Sequence, residues 1–431
     1  SNLAKIYKRG TFKVTRTKDN GELHPWSTWP SLHRGVPNYE HNIRFINQDL
    51  DVANKNFPPF WVDLASSGID VGIFGSLQSF PPIYGDNYKF YLPDTFSPNE
   101  ESFPNEIKKF QKFNLKLAGK NKAISGSFDF ESMVLFSKLI FFKIIGINSI
   151  LTAFIHLFKE LVNSKYKKRR SLIQPILSFD VFWKHYKKYR PKFSTFFTNH
   201  VAGMMHRYWQ ETFPEDFDLK KDEIDIFNSK SIFKAMDIAD EQIGAIIDFC
   251  DKNATDLLVL SGMGQESINW GEYQPEIYLA DSSIFLKNLK LTPTEYSLLP
   301  SMHPDLVFDC ISEKALNRLI ESATALTDYD GNKLITLKYA PVGLRVNFSL
   351  GTETKALRKD QKVFNTKNKL EDKIQYYGLK LITRDQGTAY HCPEGILLAY
   401  GRNSEHFNFK ESKIVDICKI KPKILSFFGV F

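Results

Sequence analysis

The sequence predicts an α/β protein with a doubly wound, mostly parallel sheet flanked by helices and carrying helical and mixed insertions. Three stretches predict it. GIDVGIFGSLQSFPP, residues 68–82, is a short β-branched run closed by Gly, Ser and Pro, the composition of a buried parallel strand. SIFKAMDIADEQIGAIIDFCDKN, residues 231–253, repeats apolar residues at helical spacing and runs into ATDLLVLSGMGQ, a buried strand ending in a Gly-rich turn. Ligands in such folds bind beyond the carboxyl ends of the strands, which places residues 261–265, beginning with Ser261, in an active-site loop. Late in the chain, TAYHCPEGILLAYG and IVDICKIKPKILSFFGV return to the same core.

The chain is long enough, at 431 residues, for one large domain with insertions or for two to three units. Apolar residues at 42% and charged residues at 25% are enough to build a core. A net charge of +8 suits an anionic partner: a phosphate-containing small molecule, an anionic membrane surface or nucleic acid. Neither a zinc finger nor an RNA-binding aromatic signature occurs, so nothing specifies nucleic acid. Cys250, Cys310, Cys392 and Cys418 are far apart and form no CxxC, the pattern of reduced thiols. SNLAKIYKRG lacks the apolar stretch of a signal peptide. The most apolar segment, residues 135–158, is interrupted by Lys138 and Lys143 and falls short of the ~20 residues a bilayer span requires. It reads as buried or interfacial helix, and a cytoplasmic location is expected.

Residues 1–104, 191–287 and 381–431 are expected to form the α/β core. Residues 105–190 turn helical and basic, with KYKKRR and FWKHYKKYRPKF, and are expected to form an insertion or cap. Residues 288–380 are expected to form a smaller mixed insertion, with KLITLKYAPVGLRVNFSL as a hairpin. SNLAKIYKRG reads as helix, KFSTFFTNHVAGMMHRYW as sheet-like material, and KYKKRR as a solvated helix end more readily than as an anion-steering cluster.

ELHPWSTWPSLHRGVPNYEHNI, residues 22–43, gathers hydroxyls and histidines around a Gly-Val-Pro turn. A helix starting there would favour phosphate at its N-terminus. With VAGMMHRYW, LLVLSGMGQ, YHCPEGILLAYG and VDICKIKPKILSFFG, in that order, it resembles the alkaline phosphatase superfamily, in its type I phosphodiesterase/nucleotide pyrophosphatase branch. The last segment carries extra residues between Ile417 and Pro422. That resemblance implies two zinc ions about 4 Å apart that clamp a phosphoryl group. It also implies Thr28 as nucleophile, Ser31 at the phosphate-binding Asn position, and His206 and His391 as metal ligands.

Carried over residue by residue, the zinc shells are incomplete. The carboxylate four residues before His206 is Ala202, and the Asp-His pair of the second zinc falls on Gly262 and Met263. That zinc's remaining carboxylate belongs on a strand ahead of the nucleophile, and no such strand is expected in the 27 residues before Thr28. Asn199, His200 and Cys392 are neighbouring donors, but adjacent strand residues point to opposite faces, which separates Cys392 from His391. His206, His391 and Ser261 are expected to line a ligand pocket, with Asp94 and Glu394 as further cleft candidates. No cofactor is specified by the residues alone; zinc enters only if the chain is active.

Three readings follow. The chain is a divergent phosphodiesterase-like protein without the two-zinc site that binds a phosphoester-type anion. Or it is an active metal-dependent phosphoester hydrolase with Thr28 as nucleophile and non-standard ligands. Or it is an accessory protein of a membrane surface or envelope polysaccharide. Its oligomeric state is not legible.

Overall fold

The computed structural model describes residues 1–118, 129–271, 275–351, 361–383, 387–410 and 412–430. The fold is mixed α/β and divides into two compact units. One is Ser1–Ile43, Ala53–Asn269 and Gly387–Phe431; the other is Arg44–Val52 and Trp270–Gln386.

In the first unit, helix α1 (Asn2–Arg9) leads into strand β1 (Thr11–Arg16), and α2 (Pro25–Arg34) follows. A strand therefore does precede Thr28, contrary to expectation: TFKVTR alternates well enough to pair along its whole length with β8 (Glu394–Tyr400), antiparallel, from Thr11 opposite Ala399 to Arg16 opposite Glu394. The other edge of β8 pairs antiparallel with β5 (Leu257–Leu260), while β9 (Ile414–Asp416) pairs parallel with β1. The expected buried parallel strand is β2 (Val71–Phe74), central between β3 (Tyr88–Leu92) and β4 (Phe193–Phe196), parallel to both and buried at every position. Parallel and antiparallel pairs thus divide this unit between them.

Strand β8 is buried on both faces because its side chains alternate. Leu397 and Ala399 join a cluster with Leu32, Trp61, Val71, Ile417 and Ile424, the last from α9 (Ile420–Phe427). Leu398 and Tyr400 point the other way, to Ile6 of α1 and Ile247 of α8 (Ser231–Asn253). Helices therefore cover this strand on both sides, as a layered α/β core requires.

Helices α3 (Asn105–Ala118), α4 (Phe130–Phe141), α5 (Ile147–Val162) and α6 (Ile173–Tyr189) account for the basic, apolar stretch. Phe110, Phe113, Phe136, Leu177 and Phe182 from these helices pack with Phe74 and Phe90 of the parallel sheet. KYKKRR does not end as a solvated helix tip. It lies in a 3₁₀ segment, where the Arg169 guanidinium stacks 3.8 Å over Phe227 and Arg170 binds the buried Glu160 carboxylate through its Nε (2.8 Å). KFSTFFTNHVAGMMHRYW is strand only over β4; from His200 it forms α7 (His200–Thr212), whose Met204 and Tyr208 are buried against Ile232 and Ala235.

The second unit has its own antiparallel sheet, in the order Ile335–Leu337, Arg345–Leu350, Asp305–Cys310, Tyr296–Leu299. The first two strands form the expected hairpin, and the helix Glu313–Ala323 adds Leu316 and Leu319 to a core with Phe308 and Phe348.

Two strands approach closely at Gly395. The Thr15 hydroxyl donates to the Ser261 carbonyl at 2.8 Å, directly over this residue. A Cβ at Gly395 would lie 2.3 Å from that carbonyl oxygen, which is backbone and cannot yield cheaply. We expect Gly395→Ala to lower the melting temperature by about 2–5 °C, as overpacking of about 1–3 kcal/mol does in a unit of this size. An unchanged thermal unfolding curve would show that this approach is not tight.

Candidate functional site

Helix α2 starts at Pro25, whose fixed φ suits the first helical position, and His24 stands at the N-cap with no side-chain cap bond. No acidic residue occupies its first turn. The positive end of the helix is therefore uncompensated by its own residues. Pro30 deprives the Trp26 carbonyl of its helical donor, and the Gln78 amide supplies one at 3.3 Å. The helix closes at Gly35 in the left-handed conformation (φ 71°).

Thr28 and Ser31 both face inward from this helix, and both are 0% exposed. Thr28 Oγ1 has no hydrogen-bond partner within the protein. Its methyl lies 3.5 Å from where a Cβ on Gly262 would stand, so the tertiary fold brings position 262 beside Thr28. Enclosed in this way, the hydroxyl has no path to a ligand in this conformation. Ser31 is fully engaged. His41 Nδ1 accepts from the Ile43 N–H at 3.0 Å, so its other nitrogen carries the proton and donates to Ser31 Oγ at 2.9 Å. Ser31 in turn donates to Asp19 at 2.7 Å, and the same carboxylate oxygen accepts the Asn38 N–H. A hydroxyl spent this way braces the turn after α2 and has no hydrogen left for a phosphate.

His206 and His391 do come together, with ring centroids 4.9 Å apart at 89°. His206 projects from α7 and donates its Nδ1–H to the Ala389 carbonyl at 2.7 Å, which leaves Nε2 as a bare lone pair. His391 lies on strand β7 (Ala389–Cys392), which pairs antiparallel with β6 (Gly264–Ser267). His391 adjoins the Leu23 backbone, and its Nδ1 is buried without a partner. Burial, then the neighbouring His206, pushes the His391 pKa down to about 3; burial also lowers that of His206. Both imidazoles are thus neutral near pH 7.

Around them stand further residues of the opening motif and of the loop at 261–265. Gln265 faces His391 across the β6–β7 pair; its amide nitrogen reaches the Ala202 carbonyl at 3.3 Å and its buried oxygen has no partner. Tyr390 donates to Glu22, whose other oxygen lies 3.2 Å from His24, and His24 stacks on Trp26 at 4.5 Å. Glu22, His24 and Trp26 belong to the opening motif, but neither Gln265 nor Glu22 carries a spacing signal.

The remaining candidates have structural roles. Ser261 donates to the Met263 carbonyl two residues on. Cys392 turns toward the Glu394 carbonyl at 3.9 Å, away from the imidazole pair. Asp94 is buried, its carboxyl pushed up to about 6 by desolvation, and it accepts the Gln78 and Phe96 N–H groups. Glu394 makes a surface pair with Arg16 at 3.4 Å.

This donor set does not fit a pair of zinc ions. Where the resemblance implies one zinc shell, there are two imidazole lone pairs and no donor at Ala202. The other has no donor at Gly262 and a buried thioether at Met263. Among the described residues, no three His, Cys, Asp or Glu side chains gather as a metal-binding group.

No known protein-family model matches the chain, and no curated protein sequence matches it. Among solved structures, murine ectonucleotide pyrophosphatase/phosphodiesterase 5 is similar over 100% of this chain and 90% of its own, at 12% identity and TM-score 0.38. The human protein of that name covers the same shares at 10% identity and TM-score 0.37. An inactive form of the murine protein in complex with AMP, again over 100% and 90%, gives 11% and 0.35.

Because Ser31 joins two buried polar groups, Ser31→Ala removes the hydroxyl that bonds both His41 and Asp19. We expect a loss of about 1–3 kcal/mol in urea unfolding of the first unit. An unchanged unfolding midpoint would show that the chain from His41 to Asp19 is not formed.

Proposed function

We propose that this chain is a divergent phosphodiesterase/nucleotide pyrophosphatase-like binding protein that holds a phosphoester-type anion without paired-metal catalysis. One observation carries the reading: the His391 ring lies 4.7 Å from that of Tyr390, whose hydroxyl bonds Glu22 beside His24, so the imidazole pair adjoins the start of α2. The helix end offers a positive potential to an anion. The imidazoles add charge only when protonated, so an arriving anion raises their pKa and draws protons from solvent.

The sign of the pH dependence follows. In the free protein His391 titrates at about 3, so near neutrality it is unprotonated. The bound state favours the protonated form. Affinity therefore rises as pH falls, with net proton uptake. AMP is a suitable probe, since the murine structure above contains it. Calorimetric titration from about pH 8 to about pH 5 should show tightening by roughly tenfold for each proton taken up per pH unit. Binding should weaken strongly in His391→Ala, and the purified protein should contain fewer than two zinc ions. Flat affinity across that range would contradict the reading.

One observation favours an active enzyme instead: Thr28 Oγ1 is an orphan hydroxyl beside position 262. Hydrolysis of bis-p-nitrophenyl phosphate that disappears in Thr28→Ala, together with stoichiometric metal, would replace the binding reading with that one.

A further inference from the structure

Helix α5 is amphipathic in the reverse sense for a helix of a water-soluble surface. Its inward face buries Ser149, Ala153 and Glu160. Its outward face exposes Ile147, Leu151, Phe154, Ile155, Phe158 and Leu161, a stripe at helical spacing along the whole helix. Leu161 is 85% exposed and Phe158 65%. A buried carboxylate under an apolar outer stripe is tolerated because Arg170 neutralises Glu160 and His156 lies 3.1 Å from it. The inward polar groups are therefore satisfied, and the apolar stripe is left facing outward. It is too large to be scattered surface hydrophobicity, and contiguous exposed apolar faces mark docking sites.

Charge selects the occupant. Residues 130–170 contain eight basic and two acidic residues, a net +6 of the chain's +8. Both acids are engaged, Glu131 by Lys116 and Glu160 by Arg170. Lys138, Lys143, Lys159 and Lys167 make no ion pair among the described residues. Two copies meeting through this face would bring like charges together. A partner with an apolar interior and an anionic rim removes that conflict, and a bilayer surface rich in acidic lipid has both. No described helix is long and apolar enough to cross a membrane, so the helix lies on one rather than through it.

We propose that α5 is a membrane-docking helix, its Phe and Leu stripe seated among acyl chains and its flanking lysines on anionic headgroups. This inference is independent of the phosphoester reading, because the site around His391 takes no part in it.

The test is co-sedimentation of the full chain with vesicles of phosphatidylcholine, with and without phosphatidylserine. Binding should require phosphatidylserine. It should fall sharply as salt rises from about 0.1 M to about 1 M, where the screening length drops from about 10 Å to about 3 Å. Phe154→Asp with Phe158→Asp should lower partitioning about tenfold or more, since each ring is more than half exposed. A second variant, Lys138→Glu with Lys143→Glu and Lys167→Glu, should lose about fivefold or more for each charge removed. Absence of binding at low salt, or binding indifferent to both variants, would overturn the proposal. So would self-association that Phe154→Asp/Phe158→Asp abolishes, which would assign the face to a second copy.

Discussion

Residues 389–400 carry two duties in one nearly continuous run, and the first unit depends on that constraint. Strand β8 pairs with β1 on one edge and β5 on the other, and its side chains fill clusters on both faces of the sheet. Just before it in the same run, β7 pairs with β6 and holds His391. Pro393 separates the two. It has no N–H to give to a ladder, but its carbonyl accepts from Thr17 at 3.0 Å, so the chain changes partners without leaving that carbonyl bare. The register that buries Leu397 and Ala399 is thereby tied to the register that sets His391 opposite Gln265. A one-residue slip would move every one of these side chains to the wrong face.

The chemistry of the site follows from where that run delivers the imidazoles. Burial strips both of charge, and neither bare nitrogen finds a donor among its neighbours. What remains is a pair of neutral, buried imidazoles side by side. The hydroxyls of α2 are held back from such a group, Thr28 by enclosure and Ser31 by its bonds to Asp19 and His41. Position 262 lies beside Thr28 with ordinary van der Waals room for a Cβ, yet it is glycine, so no carboxylate stands there to hold a cation.

Much of this architecture was legible in the sequence because local pattern and tertiary burial agree. The run at residues 231–253 is helical over its full length, residues 71–74 form a buried parallel strand, and residues 335–350 form a hairpin. Strand β1 was missed because TFKVTR is short and half-exposed, and only its pairing with residues nearly 400 positions away makes it a strand. Residues 200–209 looked sheet-like because Val, Met and aromatics fit both periods; burial of Met204 and Tyr208 one helical turn apart decides for helix. At the site, His206 and His391 lie side by side, and the partners of Ser31, Asp19 and His41, come from turns with no pattern of their own. Helix α5 read as buried or interfacial, and its inverted face becomes visible only once Glu160 is seen inside.

The central claim is that His391 and His206 form a neutral imidazole pair held beside the start of α2. Nuclear magnetic resonance titration of the two rings tests it most directly, since ring nitrogen shifts report both protonation and tautomer. The account predicts that His391 stays neutral down to about pH 3, with its proton on Nε2, that His206 carries its proton on Nδ1, and that both pKa values climb when AMP is added. Titration of His391 near the ordinary value of 6.5, unmoved by AMP, would contradict it.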